Sequence, residues 1–303
     1  MSPELNGVVV VDKPADLSSA RVVSIVKGLF GVKKVGHTGT LDPFATGVLI
    51  CCINRATRLS RFFLKGDKVY EAELVLGVVT DTQDATGTVI ERHPLDGITM
   101  DRIRKTTQRF LGSITQIPPV YSALKHQGTP LYKWARRGAA VEKPARPVRI
   151  DRLEILNVDL PTVRFSVACS SGTYVRTLCA DLGRKLGCGG HLKNLRRTAS
   201  CGFSIEDAIE LERLMECRDR GCLNENVIPM NAALAFMPAM VAESPLARRI
   251  RNGMKLSAAD FPVRPRVSEQ GAFKVVDPDG RLIAVIEQAS AAGGYNYCCV
   301  FSA

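Results

Sequence analysis

Gly36–Gly47, GHTGTLDPFATG, sets three glycines, one histidine and one aspartate between two apolar segments. Gly36 and Gly39 admit backbone conformations with φ > 0 that bulkier residues resist. Pro43 pushes Asp42 out of the helical region toward an extended conformation. Asp42 is therefore expected on a loop shaped by its neighbours and held in one orientation. After it, Gly47–Ile53 (GVLICCI) reads as a short buried element. A fixed carboxylate anchored to a core element suits a nucleophile or a general base. The same residues also suit a plain Asp-Pro turn, so the rest of the chain has to decide.

Working outward, Gly7–Val11 reads as a first strand, ended by Asp12-Lys13-Pro14. In ADLSSARVVSIVKGLFG, residues Val22, Ile25, Val26 and Leu29 recur at helical spacing, with Ser18 or Ser19 as cap and Gly31 as stop. Lys68–Gly77 alternates like a strand, with Tyr70, Ala72, Leu74 and Leu76 on one side. Thr80–Gly87 (TDTQDATG) reads as a polar turn. Thr99–Leu111 reads as a helix with Ile103, Thr107, Phe110 and Leu111 inward and Gly112 as its stop.

The segment 118–150 carries too many prolines and glycines for one continuous element. It holds seven basic residues (Lys125, Lys133, Arg136, Arg137, Lys143, Arg146, Arg149), one acid (Glu142), and the aromatics Tyr121, Tyr132 and Trp134. Basic side chains among aromatics suit nucleic acid, through phosphate contacts and stacking. They equally suit a solvated basic loop with aromatics packed beneath.

Leu153–Cys169 reads as two strands broken at Asp159-Leu160-Pro161. It runs into SSGTYVRTLCADLG, a turn opening a helix. Arg176 falls in that helix's first turn, against the preference of the macrodipole; this is the place of either a pairing partner for a carboxylate or an exposed arginine. Arg184, Lys185, Lys193, Arg196 and Arg197 follow. Near Met237-Pro238 the character changes. Residues 245–256 form a basic helix-like segment, 273–286 read as two strands around an Asp277-Pro278-Asp279-Gly280 turn, and 298–301 as a last strand. This is a small, mostly β unit.

A chain of 303 residues accommodates one large domain and a smaller one. Its 46% hydrophobic and 23% charged content is that of a globular protein, and no apolar run is long enough to span a membrane. MSPELNGVVVVDK has no basic stretch before its four valines, so it is not expected to act as a secretory leader, which points to the cytoplasm. The net charge of +11 points to an anionic partner, nucleic acid first. With no basic amphipathic helix bearing an aromatic face, no membrane partner is expected. The ten cysteines contain no C-x-x-C pair, and several sit in apolar segments, as small buried hydrophobes do. Reduced thiols are expected, with no metal site.

Together, VDKPADLSSARVV, GHTGTLDPFATGVL, DKVYEAELVLG, SGTYVRTLCADLG and HLKNLRRTASCGF closely resemble, in order and spacing, the TruB family of tRNA pseudouridine synthases. The similarity covers residues 7–235; the C-terminal segment more loosely resembles a PUA domain. One departure stands out: the family usually has Gly where Asp16 stands and Thr where Ser18 stands. The resemblance implies an α+β fold, with a mixed, mainly antiparallel central sheet flanked by helices and a small C-terminal β-barrel-like PUA domain. It implies a catalytic domain over 1–236, with 118–150 as an RNA-gripping insertion, and an RNA-binding domain over 237–303.

In function, it implies an isomerase of tRNA processing that turns uridine into pseudouridine at position 55 of the T-loop. Asp42 matches the family's nucleophile, Tyr70 the tyrosine that stacks on the base and helps remove its C5 proton, and Arg176 the partner of the aspartate. His37 matches the histidine that fills the place of the flipped nucleotide, and Leu195 lies in the motif that lines the base pocket. Tyr174, Lys125, Arg136, Arg137 and Arg197 are the further residues expected against RNA. The expected partner is the T-arm of tRNA, bound by a monomer with no obligate protein partner and no cofactor. The chemistry fits: exchanging a C–N for a C–C glycosidic bond changes no oxidation state and needs no electron carrier. A carboxylate can divide the step through a covalent intermediate. An arginine partner keeps it ionised despite burial. The stacked uracil must be turned out at a cost of roughly a few kcal/mol, to be met by phosphate and shape contacts.

Three other readings compete. A guide-RNA-dependent synthase is shorter over 118–150 and has longer termini. A non-catalytic RNA-binding or tRNA-folding protein would have lost Asp42, Tyr70 or Arg176. A P-loop enzyme needs a Gly-Lys-Ser/Thr ending that this loop lacks.

Overall fold

The computed structural model describes residues 4–135, 137–139, 141, 143–261, 266–268, 271–289 and 294–301. The elements that shape the site are, in order, β1 (Gly7–Lys13), α1 (Ser19–Phe30), β2 (Val35–His37), β3 (Thr46–Ile53), β4 (Lys68–Leu76), α2 (Met100–Gln108), β5 (Gly112–Gln116), β6 (Arg146–Asp159), β7 (Thr162–Cys169), α3 (Val175–Leu186), β8 (Gly190–Ser200), β9 (Ile209–Glu210) and α4 (Leu211–Arg220). The central sheet runs β9-β1-β3-β8-β4-β7-β6-β5, with β2 also paired to β3. Only β1/β9 and β3/β8 are parallel in this path. The sheet is mixed and mainly antiparallel, as expected.

The unbroken apolar runs of β1 and β3 have a direct cause, since both of their faces are buried. Val9, Val11, Leu49, Cys51 and Ile53 pack against Val22 and Val26 of α1 and Leu211 and Leu214 of α4. The alternate residues Val8, Val10, Val48, Ile50 and Cys52 lie on the opposite side, in one cluster with Ala56, Leu59, Phe62, Phe63, Ala233 and Leu234 and with Ala272, Leu282, Val285, Cys299 and Phe301. Those last residues belong to a second sheet, of β10 (Ala239–Val241), β11 (Leu256–Ser257), β12 (Ala272–Val276), β13 (Leu282–Gln288) and β14 (Gly294–Val300), in the order β10-β12-β13-β14-β11 with α5 (Ser244–Arg251) beside it. This curled five-stranded sheet fits a PUA-like half-barrel. Tyr70, Ala72, Leu74 and Leu76 of β4 form the other main core with Ile103 of α2 and Leu178, Leu182 and Leu186 of α3.

Helix α1 begins where the serines placed it: the Ser18 side chain accepts the Arg21 N–H at 3.1 Å, and Gly31 ends it at φ 60°. The departure at residue 16 also has a physical reading. Asp16 has φ 64°, a left-handed conformation that glycine adopts freely and aspartate tolerates better than most residues. Six of the ten cysteines are buried. Among the described residues, no helix is long and apolar enough to cross a membrane.

Three expectations need correction. In the central loop, Gly39 (φ 98°) and Gly47 (φ 102°) supply the positive dihedrals, whereas Gly36 lies in β2. Leu111 is 38% exposed rather than inward, because α2 ends at Gln108 and the helical period does not reach it. The segment 118–150 contains a small hairpin (Lys125–His126 with Thr129–Pro130) and one helical turn (Leu131–Ala135), but from Arg146 onward it is already β6.

Candidate active site

The Asp42 loop is held by side chains that reach it from three directions. Lys13, at the end of β1, is fully buried; its ammonium donates to the carbonyls of Pro14 (2.7 Å), Leu17 (2.6 Å) and Pro43 (3.0 Å). Ser19, at the start of α1, donates to the Leu41 carbonyl at 3.0 Å and accepts the Leu41 N–H at 2.9 Å. Arg197 of β8 donates from Nη2 to the Gly39 carbonyl at 3.0 Å and from Nε to the Val48 carbonyl at 2.7 Å. Asp42 sits between the residues held by the first and second of these ties, and its own carbonyl accepts the Ala45 N–H at 3.1 Å, closing the Asp-Pro turn. Gly47 is required by contact as well as by φ: a β-carbon there would be driven into the backbone of Arg197, with which it pairs in the sheet.

Arg176, only 5% exposed, reaches the loop from α3. Its Nε lies 3.0 Å from Asp42 Oδ2, an ion-pair contact not aligned as a hydrogen bond, and its Nη2 donates to Asp42 Oδ1 at 3.4 Å. The remaining donors are spent on Asp84 Oδ2 (3.2 Å), the Thr82 carbonyl (3.3 Å) and the Tyr121 carbonyl (2.8 Å). One guanidinium thus joins the Asp42 loop, the 80–87 turn and the 118–150 segment. Asp84 is itself fixed, since its Oδ1 accepts from Thr82 Oγ1 (2.7 Å), Thr86 N (3.0 Å) and Thr86 Oγ1 (2.6 Å).

Burial pushes the Asp42 carboxyl above its ordinary value. Arg176 opposes this, Asp84 reinforces it, and Lys13 opposes it more weakly. The expected role of the arginine is present in direction, but burial outweighs it. Burial also raises the Tyr70 phenol, against the pull of the Arg197 guanidinium beside it. His37 is lowered, first by burial and then by Arg197, which favours a neutral ring near pH 7. Burial lowers Lys13 to about 8, with Asp16 and Asp42 opposing and Arg197 adding to the fall.

Asp42, Tyr70, Tyr174, Arg176, Leu195 and Arg197 all line one cavity of about 350 Å³, within the size range of small-ligand sites. Ser122, Ala123 and Leu124 give it a wall from the 118–150 segment. Tyr174 is braced by Gln116, which accepts its N–H at 3.0 Å and donates to its carbonyl at 3.3 Å, and by the Arg146 guanidinium 5.1 Å above its ring. His37 is not part of this lining; it ends β2, and its Nδ1 is buried without a partner among the described residues. Lys125 and Arg137 are exposed on the 118–150 segment, away from the cavity, and Arg136 lies outside the described residues.

Arg197, expected against RNA, lines the cavity and also holds the loop. It is 1% exposed, and its donors hold the two ends of the Asp42 loop. Its neighbour Arg196 is the outward residue, paired with Asp12 at 2.6 Å. Sequence reasoning also missed Asp84 and the loop-holding roles of Lys13 and Ser19. A lysine closing a strand of valines was a usable signal; Asp84 in a polar turn was not.

Known proteins match this chain over most of its length. The family model "TruB family pseudouridylate synthase (N terminal domain)" matches residues 27–175, and "tRNA pseudouridylate synthase B C-terminal domain" matches residues 176–235. The tRNA pseudouridine synthase B of Burkholderia pseudomallei (strain 668) is 42% identical over 283 residues, covering 93% of this chain and 92% of that protein. Its namesake from Geobacter sulfurreducens is 43% identical over 250 residues, 82% of each chain. Among solved structures, a Cbf5-Nop10-Gar1 complex aligns with a TM-score of 0.75 at 24% identity, covering 98% of this chain and 84% of that one, a likeness of fold alone.

Proposed function

The chain belongs to the TruB family and is a tRNA pseudouridine synthase, an isomerase that converts uridine in tRNA to pseudouridine, and from this premise we propose that the reaction takes place at Asp42. The observation that carries the proposal is the Asp42–Arg176 pair at the wall of the 350 Å³ cavity, with Tyr70 and Leu195 beside it. Asp42 is the nucleophile. Its side chain is 33% exposed while Arg176 is nearly enclosed, so the carboxylate is the reachable member of the pair. Attack by the carboxylate divides the isomerisation into breaking the C1′–N1 bond and forming the C1′–C5 bond, and its departure restores the free enzyme.

Arg176 favours the ionised carboxylate and fixes its direction. Tyr70 stacks on the flipped uracil and helps remove the C5 proton; burial favours its neutral phenol, and the nearby Arg197 guanidinium offsets this only in part. Tyr174 and Leu195 form further walls of the base pocket. His37, on the strand that leads into the loop, fills the gap left in the RNA.

The substrate site is position 55 in the T-loop, held by the 118–150 segment. Support comes from the way this segment meets the chemistry: the Tyr121 carbonyl accepts from Arg176, and Ser122–Leu124 wall the cavity, so RNA gripping and nucleophile alignment are mechanically joined. The chain acts as a monomer on tRNA without a guide RNA, and the sheet of residues 239–300 adds RNA contacts.

The test is incubation of wild type and Asp42→Asn with an unmodified tRNA transcript, followed by mapping of pseudouridine by chemical derivatisation. Wild type is expected to modify the T-loop, and the variant to make no product while still binding tRNA. Product outside the T-loop would refute the position, and a variant with full rate would refute the nucleophile.

A further inference from the structure

Charge around the Asp42 cavity is unevenly matched. Asp42 is served by Arg176, which also serves Asp84. Lys68, Arg146 and Arg197 line the same hollow, and among the described residues none of the three forms an ion pair with a carboxylate. Arg197 spends its donors on the loop carbonyls. Arg146 donates to the Gly172 carbonyl and lies over Tyr174, but among the described residues its buried Nε has no partner.

Lys68 is the most informative of the three. It is 6% exposed, and its ammonium donates to the Leu64 carbonyl at 2.9 Å and to the Gly66 carbonyl. An ammonium has three donors, so one remains. Among the described residues no carboxylate forms an ion pair with it. Burial pushes the Cys169 and Cys201 thiols up to about 11, so they stay protonated. Arg197 is a like charge. Asp67, next in sequence, is 59% exposed at its side chain and lies 3.3 Å from Arg149. Burial and Arg197 both lower the Lys68 ammonium, with Cys201, Cys169 and Asp67 opposing. A nearly buried cation without a paired carboxylate is costly to keep. The cost has a chemical reason if the occupant of the cavity brings the missing anion.

We propose that Lys68 is the seat for one of the two backbone phosphates that flank the target uridine. The proposal rests on the reading that the Asp42 cavity receives a flipped uridine. The phosphodiester takes the third N–H of Lys68, while the two carbonyls hold the ammonium in place from behind. The flipped nucleotide is then located at two points, its base between Tyr70 and Leu195 and its backbone at Lys68. A purely structural lysine, tying down the turn at 64–66, would affect folding but would show no coupling to any one phosphate.

The test uses the full chain and T-stem-loop RNA carrying a single neutral methylphosphonate on the 5′ or the 3′ side of the target uridine. Wild type is expected to bind one of these two RNAs roughly tenfold more weakly than the normal RNA. The slope of log affinity against log salt should fall by about 0.7 to 0.9 for the lost charge. Lys68→Met should weaken binding of normal RNA to the same degree, and the methylphosphonate that harms wild type should then cost nothing further. Wild type indifferent to both neutralised phosphates, or losses that simply add, would overturn the proposal. Should Lys68→Met fail to fold, acylation footprinting of wild type replaces it: normal RNA should protect Lys68 and the neutralised RNA should not, and equal protection overturns the proposal. Wild type that makes no pseudouridine in an unmodified transcript would instead defeat the reading of the cavity. Full conversion without any phosphate effect defeats Lys68 alone.

Discussion

Asp84→Asn probes the part of the site that no motif reveals. In wild type, three donors converge on Asp84 Oδ1 while Oδ2 faces Arg176 Nη1 at 3.2 Å. The asparagine oxygen can keep the three threonine-derived bonds, but its NH2 group then meets the guanidinium, donor against donor. The two side chains are 5% and 6% exposed, so water cannot repair the contact. A hydrogen bond to a charged group is worth roughly 1.5–3 kcal/mol. Arg176 keeps Asp42, so the loss falls short of the roughly 3–5 kcal/mol for a buried charge left alone. We expect the unfolding free energy in urea to fall by about 2 kcal/mol.

The catalytic effect should be larger. Arg176 loses the anchor behind it, and a displacement of about 1 Å at a reacting group can lower the rate on the order of a hundredfold. The pH dependence supplies the sign. Asp84 is one of the groups that raise the Asp42 carboxyl, so removing its charge lowers that carboxyl. The acid limb of the single-turnover rate on a tRNA transcript should therefore move to lower pH while the plateau falls. An unchanged plateau, or an acid limb that moves to higher pH, would refute the reasoning.

Other outcomes follow from the same geometry. The folded-state pKa of Asp42 is raised, so its ionisation opposes folding: the favourable contribution is complete below 3.8 and is lost as pH rises through the folded value. The melting temperature of Asp42→Asn relative to wild type should therefore climb from acid toward neutral pH, and scanning fluorimetry showing the opposite trend would refute this. Gly47→Ala places a β-carbon against the Arg197 backbone at φ 102°, and should cost more than about 3 kcal/mol in denaturant or abolish soluble expression. Asp16→Gly should stay within about 1 kcal/mol of wild type, because the strain relieved at φ 64° is offset by greater freedom in the unfolded chain, whereas Asp16→Val should cost roughly 1–3 kcal/mol.

Elements with strong periodicity were legible in the sequence. The cap and stop of α1, the alternation of β4 and the buried run of β3 all follow from local side-chain chemistry. Residues whose roles depend on distant partners were not. Asp84 meets Arg176 across ninety-two positions, and within TDTQDATG nothing distinguishes it from any other turn aspartate. Arg196 and Arg197 are adjacent and alike, yet one is paired at the surface and the other enclosed. The register of β8 against β4 shifts between Leu192 and Asn194 and again between Arg197 and Ala199, so a simple alternation along HLKNLRRTAS does not assign the faces. Leu111 went astray for a related reason, since a helical period was carried past the last helical residue.

The alternation of β1 and β3 between two partners bears on how the chain can be taken apart. Each strand gives every second side chain to α1 and α4, and the rest to a cluster shared by Ala56, Leu59, Phe62 and Phe63, by Ala233 and Leu234, and by the sheet of residues 239–300. Removing that second sheet would take Ala272, Leu282, Val285, Cys299 and Phe301 out of the cluster that covers Val8, Val10, Val48, Ile50 and Cys52, leaving it to residues 56–63 and 233–234. The C-terminal sheet is thus a wall of the same building rather than an annex.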